Sequence, residues 1–180
     1  MYRQTVARLA ILCVAAAACG STGATSVDST PAASSAAASA PAQSVTEKLA
    51  FTGTTLSGQA FDGASLAGKD AVLWFWAPWC PKCAREAEHV AAAHAAQGKN
   101  VQIIGVPAFG TLPEMQKFTT NFKVDALTHV ADPDGNIWRK FQVTEQPAYA
   151  FIDQSGAVEL VRGEIGPEQL DAKLKELLAK

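Results

Sequence analysis

The chain has 180 residues, a formal net charge of −2 and 48% hydrophobic residues. These values allow one domain with a substantial core plus additional segments. The near-neutral charge speaks against a nucleic-acid binder, which carries a basic patch, and no apolar run beyond the first residues is long enough to span a membrane as a helix.

Residues 1–19 read as a signal peptide. Arg3 and Arg8 give a positive start, residues 9–18 a short apolar stretch, and small residues follow. Ala16-Ala17-Ala18-Cys19-Gly20 resembles a bacterial lipobox, in which the cysteine is lipidated and becomes the first mature residue. It departs from that pattern at Ala16, where leucine is commonest. Ala16 and Ala18 also fit ordinary signal-peptidase cleavage, so full secretion is the alternative. Residues 20–48 are dominated by Ala, Ser, Thr, Pro and Gln, cannot bury a core, and read as a disordered linker. A coil of that length spans on the order of 30 Å, enough to lift a domain off a membrane surface. The folded domain is expected at 49–180, with no internal repeats.

Within that domain, residues 49–54 and 59–61 read as two short strands around the turn Leu56-Ser57-Gly58-Gln59. Residues 64–68 make a brief connection. The run Ala71-Val72-Leu73-Trp74-Phe75-Trp76 is short, uncharged and aromatic-rich, which predicts a buried strand. Helix formers fill residues 84–97, closed by Gly98, and the helix is expected over 81–97. Cys83, Ala87, Val90 and His94 share one face of that helix. His89 is expected at the surface and His94 at the boundary.

Cys80 and Cys83 therefore lie where a strand gives way to a helix, the setting of a redox C-x-x-C motif. Once Cys13 leaves with the signal and Cys19 carries lipid, they are the domain's only cysteines. A secreted domain with one such close pair is not a disulfide scaffold, so the pair is there to react. Cys80 precedes the first helical turn, where unpaired N–H groups and the helix dipole favour its thiolate below the ordinary pKa of about 8.5. Pro81 suits the first helical position, and Lys82 adds a positive charge. The expectation is an exposed nucleophile, Cys80, and a shielded resolving thiol, Cys83. The bland alternatives are a structural disulfide or half a zinc site. Zinc needs four ligands, no second C-x-x-C exists, and His89, His94 and His129 stand at no finger spacing. No metal and no cofactor is expected.

Further along, residues 101–106 read as a second buried strand. Thr111-Leu112-Pro113-Glu114 is a capping-box pattern opening a helix whose apolar stripe is Leu112, Met115, Phe118 and Phe122. Residues 127–131 form a short strand, and Asp132-Pro133-Asp134-Gly135 a turn. Ile137, Trp138 and Phe141 give a small helical face. Pro147 leads into a strand to Asp153, Gln154-Ser155-Gly156 turns, and residues 157–162 pair back. Gly166-Pro167 opens a terminal helix with Leu170, Leu174, Leu177 and Leu178 on one side. The order is a β-hairpin, then β-α-β-α-β-α, then β-β-α. That alternation predicts an α/β fold, a central mixed sheet with helices on both faces, its early crossovers right-handed and parallel.

The segment from Trp74 through Trp79-Cys80-Pro81-Lys82-Cys83 resembles the active-site stretch of the thioredoxin superfamily. It is most similar to the extracytoplasmic TlpA/ResA/DsbE-type branch and, within it, to the secreted or lipid-anchored DsbE/DsbF-like proteins of actinobacteria. The resemblance covers about residues 49–180, a normal single-domain length, and includes Thr144-Glu145-Gln146-Pro147 before a strand. It implies a thioredoxin-like fold with an N-terminal β-hairpin and a TlpA-type insertion. It also implies that Pro147 is cis and faces the cysteine pair, against a base rate of about one X–Pro bond in twenty. Gln146 would offer backbone hydrogen bonds to an extended substrate. Trp79 would shield the nucleophile or contact partners, as its loop position suggests. Trp74, Phe75 and Trp76 are core. Trp74 stands where thioredoxins hold a buried Asp, so the usual proton acceptor for the resolving thiol is missing. Glu86, one turn beyond Cys83, matches an active-site Glu of the ResA-like branch, against the plainer reading of a solvated carboxylate beside Arg85.

The implied activity is thiol–disulfide exchange with secreted or cell-envelope proteins, in the oxidising direction, by a monomer that a redox partner of unknown identity recycles. A membrane-bound recycling partner is one option. The runner-up is a reductase for apocytochrome c maturation. Two readings of other classes stand beside these. Thioredoxin-like copper modules use C-x-x-x-C with a distal histidine, one residue more than here. A peroxiredoxin-like peroxidase wants Thr three residues before the nucleophile, where Ala77 stands.

Overall fold

The computed structural model describes residues 47–180. The signal peptide, Cys19 and nearly all of the linker lie outside the described residues. Glu47 and Lys48, assigned above to the linker, belong to a helical turn that ends on the buried Leu49. Leu49 is thus a plug for the core rather than the start of a strand. Strands β1 (Thr52–Thr55) and β2 (Ala60–Asp62) form the expected hairpin, shifted toward the C-terminus. Its turn closes on Gly58 at φ +83°, where a residue without Cβ meets no steric penalty.

A single-turn 3₁₀ helix, Gly63–Leu66, leads to β3 (Ala71–Trp76), whose six residues are all buried. Helix α1 (Pro81–Gln97) follows. Both elements match their sequence-predicted limits. Then come β4 (Gln102–Pro107), α2 (Leu112–Asn121), β5 (Thr128–Ala131), the short α3 (Asn136–Lys140), β6 (Ala148–Ile152), β7 (Val158–Arg162) and α4 (Pro167–Leu178). The strands form a mixed sheet in the order β2-β1-β5-β4-β3-β6-β7. β3 pairs parallel with β4 and antiparallel with β6. No helix among the described residues is long and apolar enough to cross a membrane.

Alternation along β3 divides the core into two layers. Val72, Trp74 and Trp76 face α1, α2 and α4, joining Cys83, Ala87, Val90, Met115, Phe118 and Leu170. Leu73 and Phe75 face the opposite layer with Leu49, Phe51, Ile137, Trp138 and Phe141. Helices on both faces are thus required by a strand that is apolar on both sides.

Helix starts follow the sequence closely. Thr111 and Glu114 close both halves of the capping box at α2, and the hydrogen bonds from Thr111 hold the Glu114 carboxyl below its ordinary pKa. Asp132 accepts from the N–H groups of Asn136 and Trp138 at the start of α3. Helix ends and stripes depart more. Gly98 does end α1, but in right-handed backbone at φ −60°. Its reason is space, because a Cβ there would come 2.6 Å from the His94 carbonyl oxygen. Leu112, Phe122 and Leu178, expected in apolar stripes, remain substantially exposed, and each lies at a helix end.

Trp76 stacks on Phe118 with ring centroids 4.2 Å apart. Its indole N–H donates to His129 Nδ1 at 3.3 Å, and His129 Nε2 lies 2.8 Å from the Val124 carbonyl. Burial pushes the His129 pKa down to about 4. The ring is therefore neutral at physiological pH, with Nδ1 accepting and Nε2–H donating. Gly105 makes room for this ring, since a Cβ there would lie 1.9 Å from Nδ1. Replacing Gly105→Ala should therefore destabilise the fold by about 1–3 kcal/mol through overpacking. Chemical denaturation measures this, and an unchanged midpoint contradicts the tight-fit account.

Candidate functional site

The last residue of β3, Trp76, is followed by Ala77-Pro78-Trp79, and α1 begins at Pro81 with Cys80 as its N-cap. N-caps are ordinarily Ser, Thr, Asp or Asn, whose side-chain oxygen accepts an N–H from the first turn. Here the acceptor is sulfur. Cys83 N–H donates to Cys80 Sγ at 3.1 Å. The two sulfurs are joined as a disulfide, with Cα atoms 5.3 Å apart.

Cys80 is only 4% exposed and Cys83 is fully buried. The expectation of an exposed Cys80 is thus corrected for the oxidised pair. Its sulfur is bonded to Cys83 and tucked against the first turn, so solvent reaches little of it. Exposure passes instead to Trp79, at 59%. The Trp79 indole donates to the Phe109 carbonyl at 2.9 Å, fixing the loop before Cys80 to the loop after β4. Phe109 adopts φ +55°, rare for a bulky residue. Its ring lies edge-on to Trp138, centroids 5.1 Å apart.

The Gln146–Pro147 peptide bond is cis. β6 pairs with β3 so that Phe75 stands opposite Ala148. Pro147 therefore lies one step further, at the sheet end where β3 runs out toward Trp79 and Cys80. Pro147 is buried and Gln146 half-buried. The Pro147 carbonyl accepts from Gly163 N–H at 2.9 Å.

Glu86 is 1% exposed, which rules out a solvated carboxylate. It lies one helical turn past Cys83, on the same inward side of α1. The Tyr149 hydroxyl and the Ile165 N–H donate to its two oxygens. Burial pushes its pKa up to about 7, opposed by those two hydrogen bonds and by Arg85, and reinforced by Glu164. Tyr149 is driven far above the ordinary phenol range, by burial first and then by the Glu86 charge, so its hydroxyl stays protonated and donates. His89 is half-buried rather than at the surface, with Nε2 4.0 Å from Glu86 Oε1. Arg85 makes two hydrogen bonds to Glu164, at 2.8 and 2.9 Å. That exposed pair fixes the loop after β7 more than it stabilises the fold.

The structure thus brings Cys80, Cys83, Trp79 and Pro147 to one end of the sheet, with Glu86 beneath the helix start. Sequence reasoning missed Tyr149, Phe109 and the loop Gly163-Glu164-Ile165. The two partners of Glu86 stand 63 and 79 residues away in sequence, so no local spacing reveals them. Among the described residues, no group of three or more His, Cys, Asp or Glu side chains is placed to hold a metal ion.

A mixed sheet flanked by helices, with a disulfide at the start of the helix that follows its inner strand β3, defines a thioredoxin-like α/β protein. A profile described as the AhpC/TSA family matches residues 44–161, and the chain belongs to that family. The soluble secreted antigen MPT53 of Mycobacterium tuberculosis is 45% identical over 118 residues, 64% of this chain and 65% of the relative. The chain thus spans just under two thirds of the length of the curated relatives it first matches. Among solved structures, MTB DsbF in mixed oxidised and reduced forms aligns with a TM-score of 0.71. It is 44% identical, over 73% of this chain and 97% of that one. A secreted Mycobacterium tuberculosis disulfide oxidoreductase, described as homologous to E. coli DsbE, aligns at 0.69. It is 39% identical, over 73% and 98% of the two chains.

The buried Glu86 makes stability depend on pH in a specific way. Its folded pKa, about 7, lies above the ordinary 4.5. The folded state therefore holds a proton that the unfolded chain has released, and stability falls as pH rises through that window. His129, at about 4 against 6.5, acts in the opposite sense between pH 4 and 6.5. Each amounts to roughly 3 kcal/mol. The wild-type protein should show these two slopes nearly cancelling. Glu86→Gln should unmask the His129 slope, with stability climbing by about 3 kcal/mol from pH 4 to 6.5. Urea denaturation across that range checks this; parallel curves for the two proteins would contradict it.

Proposed function

We propose that this protein is an extracytoplasmic thiol–disulfide oxidoreductase that uses Cys80–Cys83 to oxidise thiols of secreted or cell-envelope proteins. The observation that carries the reading is the Cys80 sulfur at the N-cap of α1, accepting the Cys83 N–H. That position stabilises the anion that exchange must generate. The names of the relatives, a secreted antigen and a secreted disulfide oxidoreductase, agree with it.

In the oxidising direction a substrate thiolate attacks Cys80 Sγ. The Cys80–Cys83 bond breaks, a mixed disulfide forms, and the electron pair leaves on Cys83. Glu86, protonated near neutrality, supplies the proton to the Cys83 thiolate. A second substrate thiolate then attacks the substrate sulfur of the mixed disulfide. Cys80 leaves as a thiolate held at the helix N-terminus. The substrate has lost two electrons and the pair has gained them. A redox partner, membrane-bound or soluble, then reoxidises it. The cis peptide at Pro147 and the adjoining Gln146 present backbone to an extended substrate, and Trp79 covers the approach to Cys80. Residues 49–180 are the catalytic domain, acting as a monomer. Cys19 carries the lipid that anchors it to the outer face of the cell membrane through residues 20–48, or the chain is released into the envelope after cleavage.

The stabilised Cys80 thiolate favours the reduced pair and hence an oxidising protein. A reductase for apocytochrome c is the second reading, and the same sulfur geometry permits it. Two measurements separate them. The reduction potential of the pair should lie well above the roughly −270 mV of thioredoxin and toward the roughly −120 mV of DsbA. A value at or below that of thioredoxin overturns the oxidase. Cys83→Ser should trap secreted proteins covalently at Cys80; apocytochrome as the predominant captive would favour the reductase.

A further inference from the structure

Glu86 has an unsolved delivery problem. At 1% exposure it has no path of its own to water, yet each exchange cycle moves one proton onto or off Cys83. Of its two hydrogen-bond partners, Ile165 offers a backbone N–H that does not titrate, and the Tyr149 hydroxyl is held protonated. Both donate, and neither carries a proton to solvent.

The remaining polar neighbour is His89, one turn further along α1. Its Nε2 is buried without a hydrogen-bond partner and lies 4.0 Å from Glu86 Oε1. An unpaired buried ring nitrogen costs stability unless something offsets it. The gap is about 1 Å longer than a hydrogen bond. Nε2 is buried toward the carboxyl, while the side chain as a whole keeps 21% exposure and so meets solvent elsewhere.

We infer that His89 is the proton relay of the site, passing protons between solvent and Glu86. This rests on the reading of Glu86 as the proton carrier for Cys83. When Cys83 leaves as a thiolate, Glu86 gives it a proton and becomes a carboxylate. Protonated His89 returns a proton through Nε2–H and is itself reprotonated from water. In the reverse direction each transfer runs backward, and no electrons move through the histidine. His89 acts through Glu86, as a positioning and relay residue.

The charged and titratable groups around the pair are Lys82 and Arg85 on α1, Tyr149 on β6 and Glu164 in the loop before α4. Arg85 and Glu164 are bound to each other at the surface. Tyr149 is buried and fixed as a donor. That leaves His89, whose ring nitrogen faces Glu86 Oε1 and whose side chain is partly exposed, as the neighbour placed between the carboxyl and solvent.

The test uses the full domain with its cysteine pair intact. The rate of exchange with a small dithiol substrate is measured against pH in dilute buffer, then with added imidazole. His89→Ala should slow exchange by about tenfold or more, within the range of a lost proton-transfer group. Imidazole should restore the rate in a concentration-dependent manner while leaving the wild type unchanged. His89→Gln, which keeps size and polarity, should be as slow as His89→Ala and should lose the wild-type pH dependence near neutrality. A merely packing role predicts a near-normal His89→Gln rate and no imidazole response, and either result overturns the relay. Glu86→Gln should be slow and unresponsive to imidazole. If Glu86→Gln instead exchanges at the wild-type rate, Glu86 is not the proton carrier and the relay falls with it. Absence of exchange by the wild type would defeat the oxidoreductase reading itself, a result distinct from failure of the relay.

Discussion

A sulfur atom occupies the N-cap of α1, where helices ordinarily place an oxygen. The first turn of any helix has N–H groups that its own backbone cannot satisfy. Cys80 meets one of them with its side chain, and in doing so it points the positive end of the helix at its own Sγ. The rest of the site serves that arrangement. β3 must be apolar on both faces to lie inside the sheet between β4 and β6, so that the chain leaves it at a defined place. Pro81 must follow at once, because its fixed backbone starts the helix without wasting an N–H. Trp79, tied to the Phe109 carbonyl, fixes the short loop in between.

Beneath this start lies a carboxyl group that burial alone would neutralise. Glu86 accepts from Tyr149 on β6 and from Ile165 before α4, so three elements meet on one residue. The loop does more than close over it. Gly163 binds the Pro147 carbonyl, Glu164 binds Arg85, and Ile165 binds Glu86. Three consecutive residues thus tie the cis-proline turn, the helix surface and the buried acid together. Desolvation and hydrogen bonding pull the carboxyl in opposite directions, and the balance leaves it near pH 7. A group so poised takes or gives a proton with little driving force in either direction, which suits a reversible exchange.

Much of this was legible in the chain itself. The limits of β3 and α1 were readable because an uncharged aromatic run ends abruptly at Pro78 and Pro81. The capping box at Thr111 and Glu114 was readable because both partners lie within one turn. What escaped were contacts between distant segments. Nothing near Glu86 announces Tyr149, and nothing near Trp76 announces His129. The exposure of Leu112, Phe122 and Leu178 escaped as well, because helical periodicity assigns a face but not which turns of that face are covered. Cys80 was placed correctly at the helix start but expected to be exposed. Periodicity reports backbone position, whereas the disulfide turns the sulfur inward.

On the proposed function, the helix start makes Cys80 an unusually acidic thiol. The most direct measurement is a pH titration of the Cys80 thiolate by ultraviolet absorbance, in the reduced protein and in Cys83→Ser. The account predicts a pKa at or below about 7, against about 8.5 for an ordinary cysteine. A Cys80 that titrates near 8.5 in both proteins would contradict it.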